Sequence, residues 1–483
     1  MRQWFRARHV GRASRVIRGY AEQPSPLPGQ EWTLRVATDA PAWRAHFSRC
    51  GAELVPCGST GWYAGADAPP HLPGQDWGRP GTGLAGEPLA PWPGHRLTVP
   101  DDWASGVYLI VLEEGDGSAR AAAPAAPTSP DARSGTALLV VRSARPGRGG
   151  TLLYKLPVLT YGAYNLASEA PYEAGTGGLG WCFYNPPRFD RLPAHVRPGV
   201  SLHRPGGGTG GHPYDVGNWD PYDPTPRQTF VHWDARFLGW LEREGYAVDV
   251  CTDVDLHREG AALLAPYRLV VSAGHDEYWS REMRDAAEAF VAGGGGLAFF
   301  SGNTVWWEVE FDADGVVYRR TRQWHETGRP ENALTGVSFR NGGERDRDEH
   351  PEPVGFRVQH AESWVYAGTG LRDGDLLGAA EHLVGYECDG AAFDRADLAG
   401  GRPVTPTGED GTPAGFVVLG VGDCGAAGWG LGNGAATMGL WTRGGTVFTG
   451  ATTDWARVLA GGREPALEQV TRNVLDRLGG VRR

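Results

Sequence analysis

No run in the 483-residue chain holds about 18 consecutive apolar residues, the length a helix needs to cross a bilayer. The start is locally basic (Arg2, Arg6, Arg8, Arg12, Arg15, Arg18), but no apolar core of roughly 7–15 residues follows, so it does not read as a secretory signal. A cytoplasmic protein is expected. Cysteine is scarce, and Cys50, Cys57, Cys182, Cys251, Cys388 and Cys424 contain no C-x-x-C pair. That spacing argues against a zinc knuckle, and without an oxidising compartment Cys50 and Cys57 are expected to stay free thiols. Positive charge is in deficit: the formal net charge is −11, which argues against nucleic acid as a partner. The familiar catalytic cassettes are missing as well. There is no G-x-S-x-G elbow, no H-E-x-x-H helix, no G-x-x-x-x-G-K-[ST] loop and no G-x-G-x-x-G between strand and helix. Cys424, in Gly422-Asp423-Cys424-Gly425, has no partner pattern and reads as structural. Gly206-Gly207-Gly208 follows no strand–helix signal and reads as a turn.

What the chain does have is glycine (73), proline (36) and tryptophan (19), hence long loops and many buried or cleft-lining aromatics. Its length predicts two or three domains. From Gly19 to Arg142, short alternating runs such as Trp32–Val36 and Val107–Leu112 lie between Gly/Pro-rich turns, the pattern of a β-sandwich. Residues 114–136, rich in Ala, Pro, Ser and Gly, read as an exposed insertion. The linker Arg145-Pro146-Gly147-Arg148-Gly149-Gly150 predicts a boundary, with a sandwich domain over 19–147 and an α/β domain over 148–483.

Beyond the linker, strands alternate with helices, which predicts a parallel sheet. Expected strands are Leu152–Thr160, Tyr246–Cys251, Leu269–Ser272, Leu297–Ser301, Thr437–Thr442 and Thr446–Thr449. Expected helices are Asp234–Glu244, Ala261–Ala265 and Glu464–Leu478, with another starting after Ser280. Residues 165–228 form a Gly-, Pro- and aromatic-rich insertion, too long for a plain loop and too aromatic for disorder, expected to roof the strand ends. Residues 304–435 read as irregular, with some strands and no clear helix.

The chain is organised around 269–283. Leu269-Val270-Val271-Ser272 is a buried strand, Gly274 gives backbone freedom, and Ser280 is a good N-cap for an amphipathic helix. Between strand and helix lie His275, Asp276, Glu277, Tyr278 and Trp279, where open α/β sheets bind ligands. In an extended segment, alternate residues share a face, so His275 and Glu277 project together. They could bind a metal or work as an acid–base pair, although a hydrogen-bonded polar turn has the same spacing. Tyr161 and Tyr164 close the Leu152–Thr160 strand.

Several strings, in consistent order over about 150–480, resemble the C-terminal domain of the N,N-dimethylformamidase beta (large) subunit family. They are Thr160–Asn165, Trp240–Tyr246, Thr252–His257, Gly274–Ser280, Gly302-Asn303, Gly385-Tyr386-Glu387, Gly445–Phe448 and Thr453-Asp454-Trp455. The resemblance implies a fold like a class I glutamine amidotransferase domain without its nucleophile, and hydrolysis of a small non-peptide amide. It also implies a mononuclear ferric iron held by two tyrosines and a glutamate, with a histidine close by. Glu277 falls on the ligand glutamate, His275 on the histidine and Tyr164 on the first tyrosine. Many relatives read Arg-Pro-Tyr where this chain has Arg204-Pro205-Gly206, so Tyr184 stands in as the second tyrosine. Glu277 and His275 are the expected catalytic pair, and Tyr161, Asp276, Trp279 and Asn303 the expected substrate pocket. Expected partners are a small amide and either a small subunit or a further copy of the chain. A non-catalytic module that binds carbohydrate or another small molecule is the alternative, and an assembly protein is a third.

Overall fold

The computed structural model describes residues 17–23, 25–66, 92–116, 135–165, 183, 199–204, 206–209, 229–345, 352, 354–425 and 434–481. Most of the 165–228 insertion, Tyr184 included, lies outside the described residues, as does most of 114–136.

The first part of the chain forms two antiparallel sheets. One has the order Arg18–Ala21, Glu31–Ala37, Gly94–Thr98; the other runs Leu54–Ser59, Ala42–Cys50, Gly106–Gly115, Gly135–Val141. Alternation sorts their faces: Trp32, Leu34 and Val36 share one core with Trp43, Ala45, Ile110 and Leu139 of the second sheet. The opposite face of that second sheet is also apolar. Its Val107, Leu138 and Val140 join the core of the larger sheet that follows.

That larger sheet has nine strands, in the order Val248–Thr252, Leu152–Leu156, Leu269–His275, Gly296–Gly302, Gly445–Thr449, Ala435–Arg443, Val417–Asp423, Phe356–Val358, Leu376–Leu377. The first five are mutually parallel and the remainder antiparallel. The expected parallel sheet is therefore half right, and the sheet is mixed. The reason is local. Arg443 pairs with Gly445 around Gly444 at φ 80°, and so tight a turn can only return antiparallel, because a parallel neighbour needs a crossover of about a dozen residues.

Both faces of the sheet are covered. Leu269, Val271 and Ala273 pack with Phe300, Trp455 and Val470 on one side. Val270, Leu297 and Phe299 pack with Met283, Ala287 and Val291 on the other. Apart from Phe300, on the neighbouring strand, those partners lie on helices Trp455–Gly461, Pro465–Gly479 and Arg281–Ala292. Each valine, leucine, phenylalanine or methionine among them contributes about 1.5–3 kcal/mol by leaving water. The arrangement is mixed α/β, and it leaves the strand ends as the natural place for polar groups.

Two further expectations change. The Leu152–Thr160 strand stops at Leu156; Pro157, with no N–H to give a ladder, starts helix Val158–Tyr164, so Tyr161 and Tyr164 are helical residues. The 304–435 stretch also contains short helices, Asn332–Thr335, Phe339–Gly342 and Arg395–Ala399. Four or five residues are too few for an apolar period to show.

Candidate active site

The Leu269–His275 strand ends at the middle of the parallel half of the sheet. Gly274 has φ 71°, and a Cβ there would lie 2.3 Å from Cβ of Trp233, so only glycine allows the chain to bend against that indole. The bend delivers His275, Asp276 and Glu277, each no more than 1 % exposed.

Glu277 is held by one face of the Val158–Tyr164 helix. Thr160 and Tyr164 are one turn apart and point the same way. The Thr160 hydroxyl accepts from the Glu277 amide at 3.1 Å, and the Tyr164 hydroxyl donates to Glu277 Oε2 at 2.8 Å. His275 Nε2 lies 3.4 Å from the same Oε2, and its ring stands 5.4 Å from that of Tyr164. The same nitrogen is 2.9 Å from Glu387 Oε2. Burial works against a charged imidazole, but the negative charge of Glu387, with that of Glu277 behind it, outweighs this and raises the pKa of His275.

Glu387 reaches the site because Gly302, the register partner of His275, has no side chain. The Glu387–Gly390 strand crosses directly over it. Asp389, two residues on, accepts from the Thr304 amide at 3.1 Å, and burial pushes its pKa up to about 7. Asn303 (φ 48°), Val305 (φ 58°) and Ala451 (φ 57°) take left-handed backbone beside these strand ends. For a buried, β-branched Val305 that is a strained conformation of the kind that collects at functional sites.

The expected pocket residues are mostly committed to internal partners. The Tyr161 hydroxyl donates to Asp234, which also accepts from Tyr154 at 2.7 Å. The Trp279 indole donates to Asp276 Oδ1 at 2.9 Å, while the backbone of Asn303 faces the Asp389 carboxyl. Gly206 adopts φ 85°, and its carbonyl accepts from Leu138 of the Gly135–Val141 strand. A tyrosine there would be strained. Sequence reading missed Glu387 as a site residue, although Gly385-Tyr386-Glu387 was one of the matching strings. It missed Lys155 entirely, since nothing around it breaks a plain strand pattern.

Among the described residues, no three His, Cys, Asp or Glu side chains are grouped to hold a metal. A phenol-based set is a different case. Tyr164 and Glu277 place two hard oxygen donors 2.8 Å apart, which suits a ferric ion. Tyr184, the expected third donor, lies outside the described residues. The described cysteines (Cys50, Cys57, Cys251, Cys388 and Cys424) are all free thiols. No helix among the described residues is long and apolar enough to cross a membrane.

Two beta subunits of N,N-dimethylformamidase are similar over 200 residues, covering 35% of this chain and 25% of each relative's own length. The one from Alcaligenes sp is 28% identical and the one from Paracoccus aminophilus 34%. The matched stretch thus spans a quarter of those longer proteins. A ThuA-like protein from Bacteroides uniformis aligns at 13% identity and a TM-score of 0.29 over 50% of this chain and 82% of its own, too low to speak to the fold. The family described as N,N-dimethylformamidase beta subunit-like, C-terminal, matches residues 59–469 and with them every residue of the Tyr164–His275–Glu277–Glu387 cluster, and the chain belongs to that family.

Proposed function

We propose that this chain hydrolyses a small non-peptide amide at the cluster around Glu277. The observation that carries the proposal is the meeting of a phenol, a carboxylate and a buried imidazole at the end of a central strand, with Tyr164 Oη 2.8 Å from Glu277 Oε2 and His275 alongside. In this reading Tyr164, Glu277 and Tyr184 hold a ferric ion, which when bound polarises an amide carbonyl and acidifies a water. Glu277 supplies an anionic oxygen from a backbone fixed by Thr160. His275, faced by Glu387, holds a proton at Nε2 and hands it to the departing amine. Burial excludes bulk water and strengthens each of these interactions.

The same reading includes a glutamine amidotransferase-like arrangement of the α/β part, a division of the chain near residue 147, and a cytoplasmic location. It also includes assembly with a small subunit or a further copy, which the name "beta subunit" of the relatives supports. Gly206, where many relatives carry tyrosine, favours the second reading of a non-catalytic binding module.

Iron analysis of the purified protein separates the two. The amidase reading expects near-stoichiometric iron and a visible phenolate-to-metal band, both lost in Glu277→Gln. Tyr184→Phe bleaches the band if Tyr184 is the second phenolate. Colourless, iron-free wild-type protein would leave the binding module standing.

A further inference from the structure

Asp276 sits between His275 and Glu277 but faces the other way. Its Oδ1 accepts from Lys155 Nζ at 2.8 Å and from the Trp279 indole at 2.9 Å, and its Oδ2 accepts from the Ser272 hydroxyl at 2.6 Å. Lys155 and Asp276 are 0 % exposed, Ser272 and Trp279 2 %. The ammonium also lies 4.9 Å from the centre of the Trp279 ring. Lys155 and Ser272 lie on the sheet face that carries Leu153 and Val270, each following one of those residues by two along its strand, and Trp279 packs in the same core from the Tyr278–Ser280 strand.

A buried ion pair is poor value for stability, since two well-packed apolar residues commonly do as well. What this one supplies is direction. Backbone bonds fix the course of the ribbon: the Asp276 carbonyl accepts from Val305 N–H at 2.9 Å and the Glu277 carbonyl from Trp307 N–H at 3.0 Å. Rotation about that course is set by the Asp276 side chain, clamped on three sides. A turn of the ribbon toward the opposite face would withdraw His275 and Glu277 from Tyr164. It would also bring a third carboxylate beside Glu277 and Glu387, and Lys155 holds that charge on the far side.

We propose that Lys155 and Asp276 are positioning residues: their ion pair, with Ser272 and Trp279, locks the 275–277 ribbon so that His275 and Glu277 face Tyr164. The inference rests on reading that cluster as the reactive site.

Lys155→Met and Asp276→Asn each strand one buried charge and should lower the melting temperature. The double variant Lys155→Met/Asp276→Asn strands none and should recover most of that loss. If the pair positions the ribbon, the refolded double variant still binds ferric ion at least tenfold more weakly than wild type, with its visible band shifted or lost. In its crystal structure the 3.4 Å separation of His275 Nε2 and Glu277 Oε2 is lost too. Wild-type iron affinity and an unmoved Glu277 in the double variant would overturn the proposal. If wild-type protein itself shows no iron band, the amidase reading fails, while the crystallographic separation still decides the positioning role. Should the double variant not fold, Ser272→Ala removes one donor and no charge, and the same two readouts decide.

Discussion

Gly302 lies so close beneath Glu387 that a Cβ at position 302 would come within 2.4 Å of the Glu387 carbonyl oxygen and 2.7 Å of the Thr453 amide. Both neighbours are backbone and cannot swing aside. Gly302→Ala should therefore push the Glu387–Gly390 strand off the site. The expected loss is about 1–3 kcal/mol in denaturant unfolding, as for an overpacked core. A variant as stable as wild type would mean that the strand has room to move.

Glu387 Oε2 lies 2.9 Å from His275 Nε2. Glu387→Gln keeps the shape and removes the charge. In the amidase reading it should leave iron content unchanged and lower turnover by roughly 10–100-fold, as the loss of such supporting partners does elsewhere. Loss of iron in this variant would make Glu387 part of the metal set instead.

His275→Ala should likewise retain most of the iron while turnover falls by about 10²–10⁴-fold, the range for a lost acid–base group. Iron analysis beside steady-state rates on the same sample checks it.

Two buried carboxyls predict a pH dependence of stability. Burial raises Asp234 to about 7, against the hydrogen bonds of Tyr161 and Tyr154 and the charge of Lys155, with Asp276 adding to the rise. Burial raises Asp253 to about 8, against Lys155 and the Leu159 amide, again with Asp276 adding to it. Each group holds its proton more tightly folded than unfolded. The folded chain therefore carries the extra protons between pH about 4 and 7–8, and stability falls as pH rises through that window. Asp234→Asn, whose carbonyl still accepts from a phenol, should gain on wild type by about 1.4 kcal/mol per pH unit across the window and level off above pH 7. Chemical denaturation at a series of pH values measures the difference. A constant offset would show that Asp234 does not titrate there.

Ser280 caps helix Arg281–Ala292, its hydroxyl accepting from the Met283 amide at 3.3 Å and meeting His257 Nδ1 at 2.8 Å. Ser280→Ala should cost about 1 kcal/mol in urea unfolding. A neutral result would mean that the Tyr278–Ser280 strand, rather than the cap, fixes the helix start.

The strand–turn–helix around His275 was legible because apolar alternation, Gly274 and Ser280 all point to one local structure. The facing of His275 and Glu277 followed from a period of two. The antiparallel half of the sheet was legible too, in the short Arg443–Gly445 turn, but alternating strands and helices elsewhere suggested a parallel continuation. Tyr161 and Tyr164 were assigned to a strand because Pro157 is one residue in an otherwise β-like run. Glu387 could not be placed from spacing, since what brings it to His275 is a missing side chain at Gly302. Lys155 was illegible for the opposite reason: a lysine in a strand ordinarily faces water, and only tertiary packing turns this one inward.

That inward lysine bears on how the chain is made. Lys155 and Asp276 are 121 residues apart. At ribosomal speeds of about 5–20 residues per second, the lysine waits roughly 6–24 s for its carboxylate to be synthesised. Until then the Leu152–Leu156 strand cannot take its place without burying a cation that lacks its ion-pair partner. The middle of the great sheet therefore closes only after Asp276 has left the ribosome, and any nascent fragment ending before it should remain open to proteolysis over this region.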